Sequence, residues 1–89
     1  MVAADITIIN KLGLHARAAA KFVKLASSFE SEIELVRENR TVNGKSIMGI
    51  MMLAASKGTD LVLQAKGNDA DSALNALTEL VNNRFDEDE

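Results

Sequence analysis

Apolar side chains along this 89-residue chain recur first at strand period, then at helix period, and the order of those changes restricts the fold more than any other feature. Ile6-Thr7-Ile8 alternates as a short strand, and Asn10-Lys11-Leu12-Gly13 breaks it with turn-forming residues. From Ala16 the spacing becomes helical: Ala16, Ala19, Ala20, Val23 and Ala26 draw one face, Arg17, Lys21 and Lys24 another, and the helix ends near Ser27-Ser28. Glu32 to Leu35 alternates again, Glu38-Asn39-Arg40 is a tight turn, and Thr41-Val42-Asn43 returns as a hairpin strand. Ser46 stands where it can cap a short helix over Ile47 to Leu53. Asp60 to Lys66 reads as a strand with Leu61, Leu63 and Ala65 on one face. Asn68 or Asp69 is then positioned to cap a third helix, whose stripe is Ala70, Ala73, Leu74, Leu77, Leu80 and Val81.

The order β-α-β-β-α-β-α, with strands this short, excludes a doubly wound parallel sheet. The predicted class is α+β, a four-stranded, mostly antiparallel sheet covered on one face by three helices. Residues 1–85 are expected to form a single domain, because 89 residues with 47% apolar side chains supply one core and not two. Asp86 to Glu89 are expected to form an acidic, disordered tail.

No cysteine is present, so disulfides and thiolate ligands are excluded, and one histidine cannot build an ordinary zinc site. Neither a metal nor a cofactor is expected. There is no run of about 18 apolar residues and no basic flank on Met1 to Ile9, which points to a soluble cytoplasmic protein without membrane insertion.

The net charge of −3 hides a polarity, for without the last four acids the body carries +1. No acid lies between Ile6 and Phe29, while Lys11, Arg17, Lys21 and Lys24 do. Such a stretch suits an anionic ligand or an acidic protein partner near the first helix. Nucleic acid is disfavoured, since the basic excess is small and Phe22, Phe29 and Phe85 are the only aromatics. The same poverty of stacking residues argues against an RNA-binding module of ferredoxin-like type.

His15 follows Gly13-Leu14 and immediately precedes the first helix. Free N–H groups and a partial positive charge gather there, so a phosphate on His15 could bond to the amides of Ala16 and Arg17. The Arg17 guanidinium could reach the same oxygens. A neutral imidazole offers a ring lone pair for attack on phosphorus, so the chemistry indicated is phosphoryl transfer through histidine. Spacing alone also admits a plain capping or surface histidine. Without a partner acid, a second histidine or a phosphate-binding glycine loop, an independent hydrolase is not expected.

Gly13-Leu14-His15-Ala16-Arg17, followed by Lys45-Ser46-Ile47-Met48-Gly49, resembles the histidine phosphocarrier family (HPr/NPr) of the bacterial phosphotransferase system, and the resemblance spans nearly the whole chain. It implies an open-faced β-sandwich. It implies that His15 receives a phosphoryl group from phosphoenolpyruvate-charged enzyme I, as a pros-phosphohistidine, and passes it to enzyme IIA domains in sugar uptake or nitrogen-related regulation. The chain would then be a relay intermediate and not a turnover enzyme. Arg17 would steady the phosphate, and Ser46 would be the regulatory serine modified by HPr kinase/phosphorylase. One departure is Ala18, where the family usually has proline; alanine keeps the helix but relaxes the constraint beside His15. A non-transferring regulatory module of the same fold is the alternative.

Two surfaces are candidates for docking. Ile47, Met48, Ile50, Met51, Met52 and Leu53 are apolar nearly all round the short helix, more than an open sheet can bury, so Ile47, Met48 and Met51 are expected in an exposed patch beside His15. Arg17, Lys21 and Lys24, at i, i+4 and i+7, fall within about 60° on the helix and are expected to meet acidic partner surfaces. A monomer is expected.

Overall fold

Four stretches with alternating side chains pair as one sheet, composed of β1 (Val2–Thr7), β2 (Glu32–Arg37), β3 (Arg40–Asn43) and β4 (Asp60–Lys66). The computed structural model describes residues 1–88. The sheet is antiparallel throughout, in the order β1-β4-β2-β3, so the last strand inserts between the first two. Register places Ile6 opposite Leu61, Leu35 opposite Leu63 and Ile33 opposite Ala65, and all six are buried. Slipping any pair by one residue would turn these side chains onto the uncovered face, where Asp5, Glu32 and Glu34 now meet water.

The other face carries α1 (Ala16–Ala26), α2 (Ile47–Met52) and α3 (Ala70–Asn82). α3 buries Ala70, Ala73, Leu77 and Val81, as its stripe predicts. α1 differs. Its buried residues are Ala18, Ala19, Phe22 and Ala26, whereas Ala16 and Ala20 face solvent. Phe22 decides the rotation, being the largest side chain on the helix and only 1% exposed; small alanines on either side let the helix lie close to the sheet. Ala18 is therefore a core residue.

Asp69 occupies the N-cap position of α3, yet its side chain makes no capping bond. Instead its carboxylate accepts hydrogen bonds from the Glu30 and Ser31 amides, at 2.9 and 3.0 Å, and from the Ser31 hydroxyl, tying α3 to the start of β2. The Ser31 hydroxyl and then the Glu30 amide hold this carboxyl below the usual carboxylate range, outweighing its partial burial. A carboxyl depressed on folding contributes stability above its unfolded pKa, which is lost as pH falls through the folded value. Asp69→Asn is therefore expected to lower the urea midpoint at pH 7, and the gap from the native chain should narrow below pH ~4. A gap constant from pH 7 to pH 3 would refute this account.

The chain closes with a single 3-10 turn at Arg84–Asp86. A disordered tail was expected over Asp86 to Glu89, of which Glu89 lies outside the described residues; at its start the backbone turns through three left-handed residues, Arg84, Phe85 and Asp86, with φ of 57°, 54° and 63°. Each such residue costs about 1–2 kcal/mol. The reversal is held by Phe85, completely buried, and by the Lys21 ammonium, which donates to the Phe85 carbonyl at 2.7 Å.

Candidate phosphoryl-transfer site

The loop from β1 to α1 is shaped by Gly13. Its φ of +67° is left-handed, and a Cβ there would lie 2.6 Å from the Ala55 carbonyl oxygen and 2.8 Å from the Ser56 Cα. This close approach lets the Leu14 amide donate to the Ala55 carbonyl at 2.8 Å while the Leu14 side chain enters the core. His15 follows at the N-cap of α1 in an extended conformation.

Here the ring itself caps the helix. The Arg17 amide donates to His15 Nδ1 at 3.3 Å, so Nδ1 presents its lone pair to the helix N-terminus and the ring proton resides on Nε2. Nε2–H points the other way, 2.6 Å from the Glu87 carboxylate Oε2. Asn10, wholly buried, donates through Nδ2 to the other Glu87 oxygen at 3.0 Å and to the Gly13 carbonyl at 2.8 Å. Burial of Glu87 disfavours its ionised form, but the hydrogen bonds from Asn10 and His15 and the nearby charge of Lys21 outweigh this and hold its carboxyl below the usual range.

Of the residues singled out in the sequence, His15 and Arg17 lie together at the α1 N-terminus, with Arg17 exposed. An open hollow of about 550 Å³ lies alongside, lined by Lys11, Leu12, Arg17, Lys21, Asp86, Glu87 and Asp88. Lys24 is exposed, whereas Lys21 is half-buried and bound to Phe85, so the two lysines are not equivalent. Asn10 and Glu87 are functional candidates that sequence patterning missed. Asn10 reads as a turn former, and no spacing connects Glu87 with a histidine 72 positions earlier.

Ser46 caps α2, its Oγ accepting from the Gly49 amide at 3.1 Å. The far end of α2 is capped by arginines from the β2–β3 hairpin: Arg37 donates to the Leu53 carbonyl at 2.7 Å and Arg40 to that of Met52 at 2.6 Å. Held at both ends, α2 buries Ile50 and leaves Met48 71% exposed, with Ile47, Met51 and Met52 also outward. Leu12, 67% exposed on the His15 loop, adds a further apolar side chain to the surface. Among the described residues no helix is long and apolar enough to cross a membrane.

The family model described as "PTS HPr component phosphorylation site" matches residues 2–83. Phosphocarrier protein HPr of Pseudomonas aeruginosa is 60% identical, with the whole of both chains covered. Phosphocarrier protein NPr of Shewanella violacea is 48% identical over 93% of this chain and 91% of its own. The crystal structure of an HPr from Thermoanaerobacter tengcongensis superposes with a TM-score of 0.96 at 47% identity, again covering both chains completely. A four-stranded antiparallel sheet under three helices, with this agreement from end to end, makes the chain a member of the HPr family of phosphocarrier proteins of the phosphotransferase system.

Proposed function

We propose that His15 is the phosphoryl acceptor, charged at Nδ1 by enzyme I that has reacted with phosphoenolpyruvate, and discharged to enzyme IIA domains in sugar uptake or nitrogen-related regulation. The observation that carries this reading is the Nδ1 lone pair aimed at the N-terminus of α1, where the Arg17 amide now occupies it. In transfer, that lone pair forms a bond to phosphorus while the donor's bond to phosphorus breaks and the donor keeps the electron pair. The freed Arg17 amide, with that of Ala16 and the Arg17 guanidinium, then faces the phosphoryl oxygens. Discharge reverses these steps, so the chain works as a covalent intermediate, a monomer in the cytoplasm, and its partners supply the rest of the catalysis. Incubation with phosphoenolpyruvate and purified enzyme I should add one acid-labile phosphoryl group per chain by intact-mass spectrometry. No gain with several sources of enzyme I would overturn the reading.

Docking falls to the exposed Ile47, Met48 and Met51 of α2, joined by Lys24 and Lys21 on α1, with Ser46 as a regulatory phosphorylation site for a kinase of the HPr kinase/phosphorylase type. A phosphate on Ser46 would place about −2 charge at the border of an apolar patch that approaches acidic partners. Aspartate caps helices as well as serine does, so Ser46→Asp should fold normally and yet slow His15 phosphorylation by roughly tenfold. Ser46→Ala should do the opposite, keeping a near-native rate while losing about 1 kcal/mol of stability. Equal rates for the aspartate variant and the native chain would count against regulation at this serine.

A further inference from the structure

We infer that Glu87 is a positioning residue for His15: the folded-back tail holds the imidazole with its proton on Nε2, and thereby holds Nδ1 ready to receive phosphorus. The inference rests on the transfer proposed above and adds to it the group that orients the nucleophile.

The contact is built from several independent parts. Phe85, completely buried, anchors the tail two residues before the carboxylate. Lys21 fixes the Phe85 carbonyl, and the Glu87 amide donates to the Arg84 carbonyl at 2.9 Å, closing the turn. The carboxylate that emerges is gripped on both oxygens, by His15 Nε2 at 2.6 Å and by Asn10 Nδ2 at 3.0 Å. Asn10 is itself bonded to the Gly13 carbonyl, so carboxylate, asparagine and site loop form one connected unit. Side-chain exposure is 28% for His15 and 15% for Glu87, so water competes only partly for the pair.

An imidazole free in water exchanges its proton between two nitrogens, and only the form with a lone pair on Nδ1 can attack from that atom. A carboxylate facing Nε2 selects that form, because the alternative would set two lone-pair-bearing atoms against each other. As the bond from Nδ1 to phosphorus forms and the donor departs with its electron pair, the ring becomes cationic with Nε2–H retained. Glu87 faces that charge directly, and no proton need leave. When the phosphoryl group moves on, the Nδ1–phosphorus electrons return to the ring and the starting contact is restored.

Ring nitrogen-15 spectra and phosphorylation rates, measured on the full chain, test this. The native ring should show one neutral tautomer, protonated at Nε2. Glu87→Ala should bring in the Nδ1–H form and slow phosphoryl uptake about tenfold, the low end of what a carboxylate orienting a histidine contributes. Glu87→Gln should be impaired as well, because its NH2 would take the place of one of the two acceptor oxygens and so face a donor, either His15 Nε2–H or Asn10 Nδ2. Glu79→Gln, an equal change of charge on the exposed side of α3, should alter neither readout. The inference is overturned if Glu87→Ala leaves tautomer and rate unchanged, and also if that variant is phosphorylated faster, which would make the tail a shield. Should the native chain take up no phosphate, the transfer reading fails, and the spectra still report separately whether Glu87 sets the tautomer.

Discussion

His15→Ala is expected to take up no phosphoryl group from charged enzyme I, while remaining folded. The chain has no second histidine, so nothing replaces the lost nitrogen. The ring is partly exposed and gives the fold one capping bond at 3.3 Å and one contact with Glu87. Losing a cap costs about 1 kcal/mol, set against a stability on the order of 5–15 kcal/mol for domains in general. The helix beneath is held by the buried Ala18, Ala19, Phe22 and Ala26, which the substitution leaves in place. Unchanged far-ultraviolet circular dichroism together with complete loss of acid-labile phosphate is the expected pair of results. Phosphate still appearing on the variant would move the acceptor elsewhere and dismantle the site as described.

Gly13→Ala should be far more damaging to the fold than one methyl group suggests. The left-handed φ alone costs about 1–2 kcal/mol for a residue with a Cβ. The new carbon would meet backbone, 2.6 Å from the Ala55 carbonyl oxygen and 2.8 Å from the Ser56 Cα, and backbone cannot swing aside as a side chain does. Relief requires breaking the Leu14–Ala55 hydrogen bond and lifting Leu14 out of the core. Together these amount to about 3 kcal/mol, or a fall of roughly 15 °C in Tm for a domain of this size. Gly58 is the natural comparison: it also has a positive φ, +92°, but nothing lies within 4 Å of its would-be Cβ. Gly58→Ala should therefore cost only the backbone part, about 1–2 kcal/mol. Equal losses in calorimetry at the two positions would show that the close approach at Gly13 contributes nothing.

Element order was legible because each change of period reflects a physical fact, namely which face of a strand or helix is withdrawn from water. Finer detail failed where one residue outweighed the pattern. The alanines of α1 predict an inward face that Phe22 overrules, and Asp69 stands where a capping residue belongs but spends its carboxylate on Glu30 and Ser31. His15 and Arg17 could be placed at the start of α1 because a helix start announces itself locally. The tail could not, since its fold depends on Phe85 finding a core built by residues far upstream. Its single sequence signal was that phenylalanine, isolated between Arg84 and Asp86 in an otherwise polar end.

The bond between Leu14 and Ala55 also bears on the kinetics of recognition. It fastens the loop carrying His15 to the segment that leaves α2, and Arg37 and Arg40 fasten that end of α2 to the hairpin. On the proposed reading, His15 and the apolar patch would meet an incoming protein as one preassembled surface. Little conformational freedom is surrendered on docking, so encounter should be governed by diffusion and charge, with no slow rearrangement in the path. A carrier that must bind, exchange and leave many times profits from this, because a modest contact area can then discriminate partners without holding them long.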